Sequence, residues 1–255
     1  MTAPLRDPWG IVEGAGLHVL LLHLGSNHHV DGIFTRLAND KACVGVNVDK
    51  WVFRQVFTVV HEYAHAILDS GLQSELCDTS QGWRPAEQHL YANRELRANQ
   101  FAAVFLVPQE ALVSYVESRG MIRYTRERGR HVTGLSPVEL VRAQDYFGVS
   151  SEMLLWRLQN ENLLNATERR TVHQELLRHG VMNIARGLGY QWRSRAQPFT
   201  RAHELALAGY TKGHVALGDL ADIFGLDKAE MHERLRELEV YQEFDETDAL
   251  IGQPA

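Results

Sequence analysis

Two histidines four residues apart flank a glutamate in the segment FTVVHEYAHAILDSG, which spans residues 57–71. On an α-helix, residues at this spacing lie on one face, about 6 Å from each other. The imidazoles of His61 and His65 could therefore both reach one tetrahedral metal ion such as Zn²⁺. Glu62, which directly follows the first histidine, is the usual choice for a general base that deprotonates a metal-bound water. The spacing indicates metal-assisted hydrolysis.

A catalytic zinc site needs a third protein ligand and keeps its fourth position open for water and substrate. Glu95, in the segment NRELRANQFAA, is the candidate that we prefer, because a carboxylate there would complete a His₂Glu set. Asp69 competes with it, since residues 61, 65 and 69 fall on one face of the same helix. Because Asp69 lies near the end of that helix, it is better suited to orient a ligand imidazole or to cap the helix than to bind the metal directly.

The same polar residues could instead form a partly buried pair without a metal. The chain contains 13 histidines, so the H-E-x-x-H spacing alone carries limited weight. However, residues 61, 62 and 65 interrupt an apolar helix, and burying them without partners would cost several kcal/mol. A bound metal ion would compensate for that cost, so we interpret the segment as a metal site.

The elements around this segment change from strands to helices near residue 50. Short apolar runs rich in β-branched residues predict three strands, and the last two, separated by Asn39-Asp40, should pair as an antiparallel hairpin. Helical periodicity predicts helices that end near Gly71, Pro108 and Gly120. The predicted strands cover 16–24, 31–37 and 41–48, the first two helices cover 51–70 and 86–108, and loops cover 72–87 and the basic run 123–131.

Everything after residue 135 has helical periodicity, and this part contains an internal repeat. Residues 145–158, DYFGVSSEMLLWRL, match residues 222–235, DIFGLDKAEMHERL, without gaps. Each copy predicts a helix, a glycine-containing turn and a second helix that Ser150 or Asp227 would cap. The pattern is typical of a helix-turn-helix unit, present twice.

The overall composition limits the class of protein. The chain has 255 residues and a formal net charge of −6, which gives no general attraction to nucleic acids or anionic membranes. No apolar run approaches the ~20 residues of a membrane span, and the start of the chain has no pattern of an export signal. The two cysteines, Cys43 and Cys77, form no C-x-x-C motif. We therefore expect a cytoplasmic protein without disulfides.

Three motifs in order make the chain similar to the ImmA/IrrE family of metallopeptidases. The first is a strand pair with Asp31-Gly32, followed by a strand that ends at Asn47. The second matches R-x-x-F-T-x-x-H-E-x-x-H from Arg54 to His65, and the third matches E-x-x-A-N-x-F-A-A from Glu95 to Ala103. The resemblance covers residues 8–165. Tyr63, Ala64 and Val107 depart from the residues that the family more often carries, at positions that need no functional group.

The resemblance implies which residues act and on what. It implies that His61, His65 and Glu95 bind Zn²⁺, or alternatively Mn²⁺, and that Glu62 is the general base. It also implies a protein substrate, a helix-turn-helix repressor whose cleavage controls a stress-response or mobile-element switch. A donor to the tetrahedral oxyanion should exist as well, and the sequence does not choose among its candidates. These candidates are His89, Tyr91 and His131.

The fold that we expect is α+β. A small antiparallel sheet would pack on a zincin-type helical core, followed by a mainly α-helical C-terminal region with the two helix-turn-helix-like units. The peptidase domain would cover residues 1–165, with its core at 8–110 and a helical closing segment at 111–165. A helical domain would cover residues 166–255, and its residues 200–240 resemble the helical extension of long family members that carry an N-terminal repressor-type DNA-binding domain.

Two other functions fit parts of the pattern. A metal-binding sensor would keep the site without turnover, and a DNA-binding regulator would use the repeated helical units. Against the latter, the segment KAEMHERLRELE (228–239) carries four glutamates against one lysine and two arginines, whereas phosphate contacts need the reverse. We expect no direct binding of nucleic acid and no membrane association, and the sequence leaves a homodimer open.

Overall fold

A four-stranded sheet lies in the first third of the chain. The computed structural model describes residues 4–5, 7–27, 29–37, 41–69, 71, 74–78, 88–192 and 199–240, and of residues 74–78 and 88–92 only the backbone. The strands are β1 (His18–Leu22), β2 (Val30–Arg36), β3 (Ala42–Asn47) and β4 (Ser74–Asp78). They lie in the order β1-β3-β2-β4. The sheet's core face includes Val19, Phe34, Val44 and Val46, which are all fully buried.

The sheet is mixed, so the prediction of an antiparallel sheet is wrong for one pair of strands. β2 is antiparallel to β3 and to β4, which confirms the predicted pairing of the second and third strands, but β1 is parallel to β3. Apolar runs identify strands without specifying their neighbours, and here β3 lies between β1 and β2. The turn at Asn39-Asp40 lies outside the described residues. β4 falls in the segment predicted as a loop, because backbone pairing with β2 rather than an apolar alternation defines it.

Eleven helices lie in the described residues, and two of them carry the predicted site. α2 (Val52–Leu68) lies against β2 and β3, and α3 (Gln88–Leu106) packs along α2. Both confirm the predicted helices, and they end shortly before Gly71 and Pro108. The others are α1 (Pro8–Gly14), α4 (Gln109–Ser118), α5 (Pro137–Phe147), α6 (Ser151–Asn160), α7 (Ala166–His179), α8 (Val181–Gly187), α9 (Arg201–Thr211), α10 (Leu217–Phe224) and α11 (Lys228–Glu237).

The basic run 123–131 belongs to a β-hairpin, so the prediction of a loop there is wrong. β5 (Ile122–Thr125) pairs antiparallel with β6 (Gly129–Val132). Val132 at the base is buried, and its N–H donates to the carbonyl oxygen of Leu163 at 2.8 Å. Charged residues of low strand propensity dominate the exposed part of the hairpin, and they concealed the strands in the sequence.

The repeated segments form the two predicted helix-turn-helix-like units. Gly148 separates α5 from α6, and Gly225 separates α10 from α11; their φ angles are 69° and 62°. This left-handed conformation ends the first helix of each unit and favours glycine. The side chains of Ser150 and Asp227 accept N–H groups from the first turn of the second helix, as predicted.

The buried apolar side chains form two separate clusters. The larger one joins the sheet to helices α1–α8 and includes Val172, Leu176 and Ala185, which lie beyond residue 165. The smaller one lies within α9–α11 and consists of Ala206, Leu220, Ala221, Met231 and Leu235. The domain boundary at residue 165 stays a prediction. None of the described helices is both long and apolar enough to cross a membrane.

Candidate metal centre

The two histidines of α2 lie on a face that is turned into the protein. The exposed fraction is 1% for His61 and 0% for His65, and their ring centroids are 4.8 Å apart. The helical spacing of four residues brings the rings together, and Val59, Val60 and Ala64 in the same part of the helix are also buried. Buried imidazoles need polar partners, and α3 supplies the first of them.

Glu95 on α3 lies opposite both histidines. Its Oε2 is 3.2 Å from Nε2 of His61, its Oε1 is 3.1 Å from Nε2 of His65, and the two Nε2 atoms are 3.1 Å apart. A tetrahedral ion with bonds of 2.0–2.1 Å to its ligands would hold those ligands about 3.3 Å apart. The triangle of two nitrogens and a carboxylate therefore has the size that a small divalent cation requires.

Oxygen atoms hold the outer nitrogens of both imidazoles. Nδ1 of His65 lies 2.7 Å from Oδ2 of Asp69, and Nδ1 of His61 lies 3.0 Å from Oδ1 of Asn99. A carboxylate or amide oxygen only accepts hydrogen bonds, so Nδ1 carries the proton and donates in each pair. Without a second proton, an imidazole held in this way directs the lone pair of Nε2 at the other ring and at Glu95. Three electron-pair donors that converge in this way fit a shared cation.

Protons compete with a metal for these ligands. Burial alone would lower the pKa of His65, but hydrogen bonds to Glu95 and Asp69, together with the charges of Glu62 and Glu95, raise it to about 9. Burial alone would raise the pKa of Glu95, but His61 and His65 lower it to about 2. In metal-free protein at neutral pH, His65 thus binds an additional proton that an incoming metal ion must displace.

Asp69, which contacts His65, is itself held in place by the helix end and by Arg97. Asp69 is the C-cap residue of α2, and its backbone N–H donates to the carbonyl oxygen of His65 at 3.2 Å. Its Oδ1 accepts a hydrogen bond from Nη2 of Arg97 on α3. α3 therefore supplies Glu95 as a direct partner of both histidines, Asn99 as the outer partner of one, and Arg97 as the support for the outer partner of the other.

Glu62 is fully buried beside the histidines, on the side of α2 that faces the sheet. A Cβ atom added to Gly32 of β2 would lie 3.0 Å from Oε1 of Glu62 and 2.3 Å from Cγ2 of Thr58. The preceding residue, Asp31, accepts hydrogen bonds from Nε and Nη2 of Arg54 at 3.0 and 2.6 Å. This ion pair fixes β2 to the beginning of α2, and the missing side chain at residue 32 leaves space for the carboxylate of Glu62.

Family comparison agrees with this geometry. The family of the IrrE N-terminal-like domain, Peptidase_M78, matches residues 12–159, which is more than half of the chain. The chain belongs to this family of metallopeptidases. The matched M78 segment includes α2 and α3 entirely and ends within α6. None of the curated proteins matches the sequence of this M78 family member.

The structure brings the residues predicted as metal ligands into one M78 metal-binding group, made of His61, His65 and Glu95. Asp69 contacts the outer nitrogen of His65, which is the supporting position that the sequence favours for it over a direct ligand position. The structure describes the candidates for an oxyanion donor only in part. His89 and Tyr91 belong to α3, but their side chains lie outside the described residues. His131 lies on β6, with Nδ1 3.2 Å from the carbonyl oxygen of Gly129.

Three residues of the site have no role assigned from the sequence: Arg97, Asn99 and Gly32. Asn99 follows Glu95 by four residues, and this helical spacing is a usable signal that both side chains point to one side of α3. The role of Arg97 depends on the position of Asp69 on another helix, which no local pattern specifies. The role of Gly32 likewise follows only from the packing of β2 against α2.

Proposed function

We propose that this M78 family member is a zinc-dependent metalloendopeptidase in which His61, His65 and Glu95 bind the metal and Glu62 is the general base. The observation that carries the proposal is the convergence of two imidazole nitrogens and one carboxylate beside a buried glutamate. Two nitrogens and one oxygen at this spacing suit Zn²⁺, which is the ion that we assign, with Mn²⁺ as the alternative.

Each residue of the site has a separate role in the proposed hydrolysis. A bound zinc ion would polarise the substrate carbonyl and lower the pKa of a water molecule towards about 7. Glu62 takes a proton from the water that attacks the peptide carbon, and it passes that proton to the nitrogen of the leaving amine as the C–N bond breaks. Asp69 and Asn99 keep the Nδ1–H groups of His65 and His61 oriented, so that each Nε2 stays available to the metal.

We also propose that the substrate is a protein, and specifically a helix-turn-helix repressor whose cleavage releases a stress-response or mobile-element switch in the cytoplasm. Family membership supports this substrate class. The sheet offers a further argument for a polypeptide. β4 is a sheet edge in the part of the chain that the structure describes, and it lies near α2. An extended substrate chain could add to such an edge through backbone hydrogen bonds.

Replacing Glu62 by glutamine tests the proposed function, because it keeps the size of the side chain and removes the base. We expect bound zinc, measured by atomic absorption, to stay unchanged, while cleavage of a helix-turn-helix repressor falls at least about 100-fold. Glu152→Gln is the matched control, since Glu152 is an exposed residue of α6. It should cleave the repressor as fast as the wild type.

The outcomes separate the candidate functions. Equal cleavage by the wild type and Glu62→Gln would refute the role of Glu62. A wild-type protein that binds zinc but cleaves no member of a panel of such repressors would favour a metal-binding sensor. A salt-dependent gel shift with operator DNA and no cleavage would favour a DNA-binding regulator.

A further inference from the structure

Helices α9–α11 form a small unit with its own core that is attached to the larger body by local contacts. Its buried apolar cluster shares no member with the larger one. α9 packs near β1, and the N–H of Arg201 donates to Oε1 of Glu13 at 2.8 Å. The unit can therefore separate from the larger body without opening the buried centre of either cluster.

The α9–α11 unit contacts His23, a residue next to the sheet. A Cβ atom added to Gly225 would lie 2.0 Å from Nε2 of His23, so the ring of His23 occupies the space beside this turn. His23 directly follows β1, and its Nδ1 lies 3.3 Å from Oδ1 of Asp49. The turn between α10 and α11 is thus joined to the segment by which the chain leaves the first strand.

Hydrogen bonds continue from His23 to the beginning of β2. Oδ2 of Asp49 accepts the N–H of Gly25 at 2.6 Å. The buried side chain of Asn47 donates to the carbonyl oxygens of Gly25 at 3.3 Å and of Val30 at 3.0 Å, and its Oδ1 accepts the N–H of Asp49 at 3.1 Å. Val30 is the first residue of β2, two residues before the glycine that lies against Glu62.

We propose that His23, Asp49 and Asn47 are positioning residues through which the docked α9–α11 unit holds Gly32 in place against Glu62. Undocking of the unit then lowers the turnover of the metal centre without removing its metal. The effect on turnover rests on the proposed peptidase function. The docked and undocked positions are the two states that such a coupling requires.

Two glycines with the same backbone conformation provide a matched test. Gly225 and Gly148 end the first helix of their units with φ near +65°, so alanine strains the backbone at both. An added Cβ meets nothing within 4 Å at Gly148 but meets the ring of His23 at Gly225. Relieving that contact requires the unit to move away or His23 to turn out of its bond with Asp49.

The first measurement is amide hydrogen exchange in the full chain of both glycine variants. Relative to Gly148→Ala, exchange at Gly25 and at residues 30–32 should rise about 5- to 150-fold in Gly225→Ala, the range that overpacking of a contact produces. In a His23→Ala background, the difference between the two glycine variants should disappear. Equal exchange in Gly225→Ala and Gly148→Ala would overturn the proposed connection.

Turnover is the second measurement. We expect Gly225→Ala to lower kcat relative to Gly148→Ala, with KM and bound zinc unchanged. Faster exchange with the same kcat would overturn the claim that docking positions Glu62. A wild type without any cleavage would refute the proposed peptidase function, while the exchange measurement would still decide whether docking reaches Gly32.

Discussion

Replacing Gly32 by alanine should damage catalysis more than metal binding. The added Cβ would lie 2.3 Å from Cγ2 of Thr58, 3.0 Å from Oε1 of Glu62 and 3.1 Å from the carbonyl oxygen of Gly45. Relieving these contacts requires the side chain of Thr58 or of Glu62 to move, or α2 to move away from β2. Overpacking typically costs about 1–3 kcal/mol of stability, and a shift of a catalytic group by about 1 Å can lower the rate about 100-fold. We therefore expect a stability loss of about 1–3 kcal/mol and an approximately 100-fold lower rate. The amount of bound zinc should stay unchanged, since none of the three nearest atoms belongs to a metal ligand.

Two further variants make the test specific. Gly45→Ala overpacks the neighbouring strand β3, but the three atoms nearest to its added Cβ belong to apolar side chains, with Cδ1 of Leu22 at 2.6 Å and Cγ2 of Ile33 at 2.7 Å. It should lose comparable stability with little change in kcat. Thr58→Ser removes the methyl group that the new Cβ of Gly32→Ala meets first, so it should restore part of the stability of that variant.

Denaturant unfolding gives the free energy of unfolding, cleavage of the proposed substrate, a helix-turn-helix repressor, gives kcat, and atomic absorption gives bound zinc. Equal kcat in Gly32→Ala and Gly45→Ala, at comparable losses of stability, would refute the prediction. In that case the position of the Glu62 carboxylate does not depend on the space that the missing side chain of Gly32 leaves. A Gly32→Ala protein that loses its zinc would also contradict the assignment of separate supports to the base and to the ligands.

Two other predictions concern the metal ligands. Zinc affinity should fall about tenfold per pH unit as the pH drops from 9 to 7, because the metal displaces the proton that His65 binds below its pKa of about 9. Calorimetry in two buffers of different ionisation enthalpy should show that zinc binding releases about one proton at pH 7. Zinc binding without proton release would contradict this prediction. Asp69→Ala and Asn99→Ala should each lower zinc affinity about 10- to 100-fold in a chelator competition, Asp69→Ala more strongly because its bond is charge-assisted. Wild-type affinity in both variants would show that the outer hydrogen bonds do not support the ligands.

The sequence predicts those parts of the site that depend on local spacing. His61 and His65 share a helical face whatever surrounds them, so their pairing follows from the chain alone. Glu95 is harder, because it lies on another helix; the sequence favours it over Asp69 as the carboxylate that completes a His₂Glu set, and the resemblance to a family implies the same ligand. The contact between Arg97 and Asp69 depends entirely on how α3 packs along α2. No local pattern contains that information.

The fold shows the same limit. Helices with a clear apolar face, such as α2, end within a few residues of their predicted bounds. β4 and the hairpin β5–β6 form from polar segments, where backbone pairing rather than side-chain alternation decides the structure. The parallel pairing of β1 with β3 is a property of the connections between strands, which strand patterns do not describe.

α2 carries His61, His65 and the proposed general base Glu62, but different neighbouring elements contact the metal ligands and the base. α3 provides Glu95, Asn99 and Arg97, so a shift of α3 along α2 would disturb the direct and outer partners of both histidines at once. Glu62 instead faces β2, whose position depends on the Asp31–Arg54 pair and on the network around Asn47. Variants at the α2–α3 contact should therefore lose metal and activity together. Variants along β2 and at the docked α9–α11 unit should keep the metal and lose turnover, and this difference distinguishes structural support of the ligands from positioning of the base.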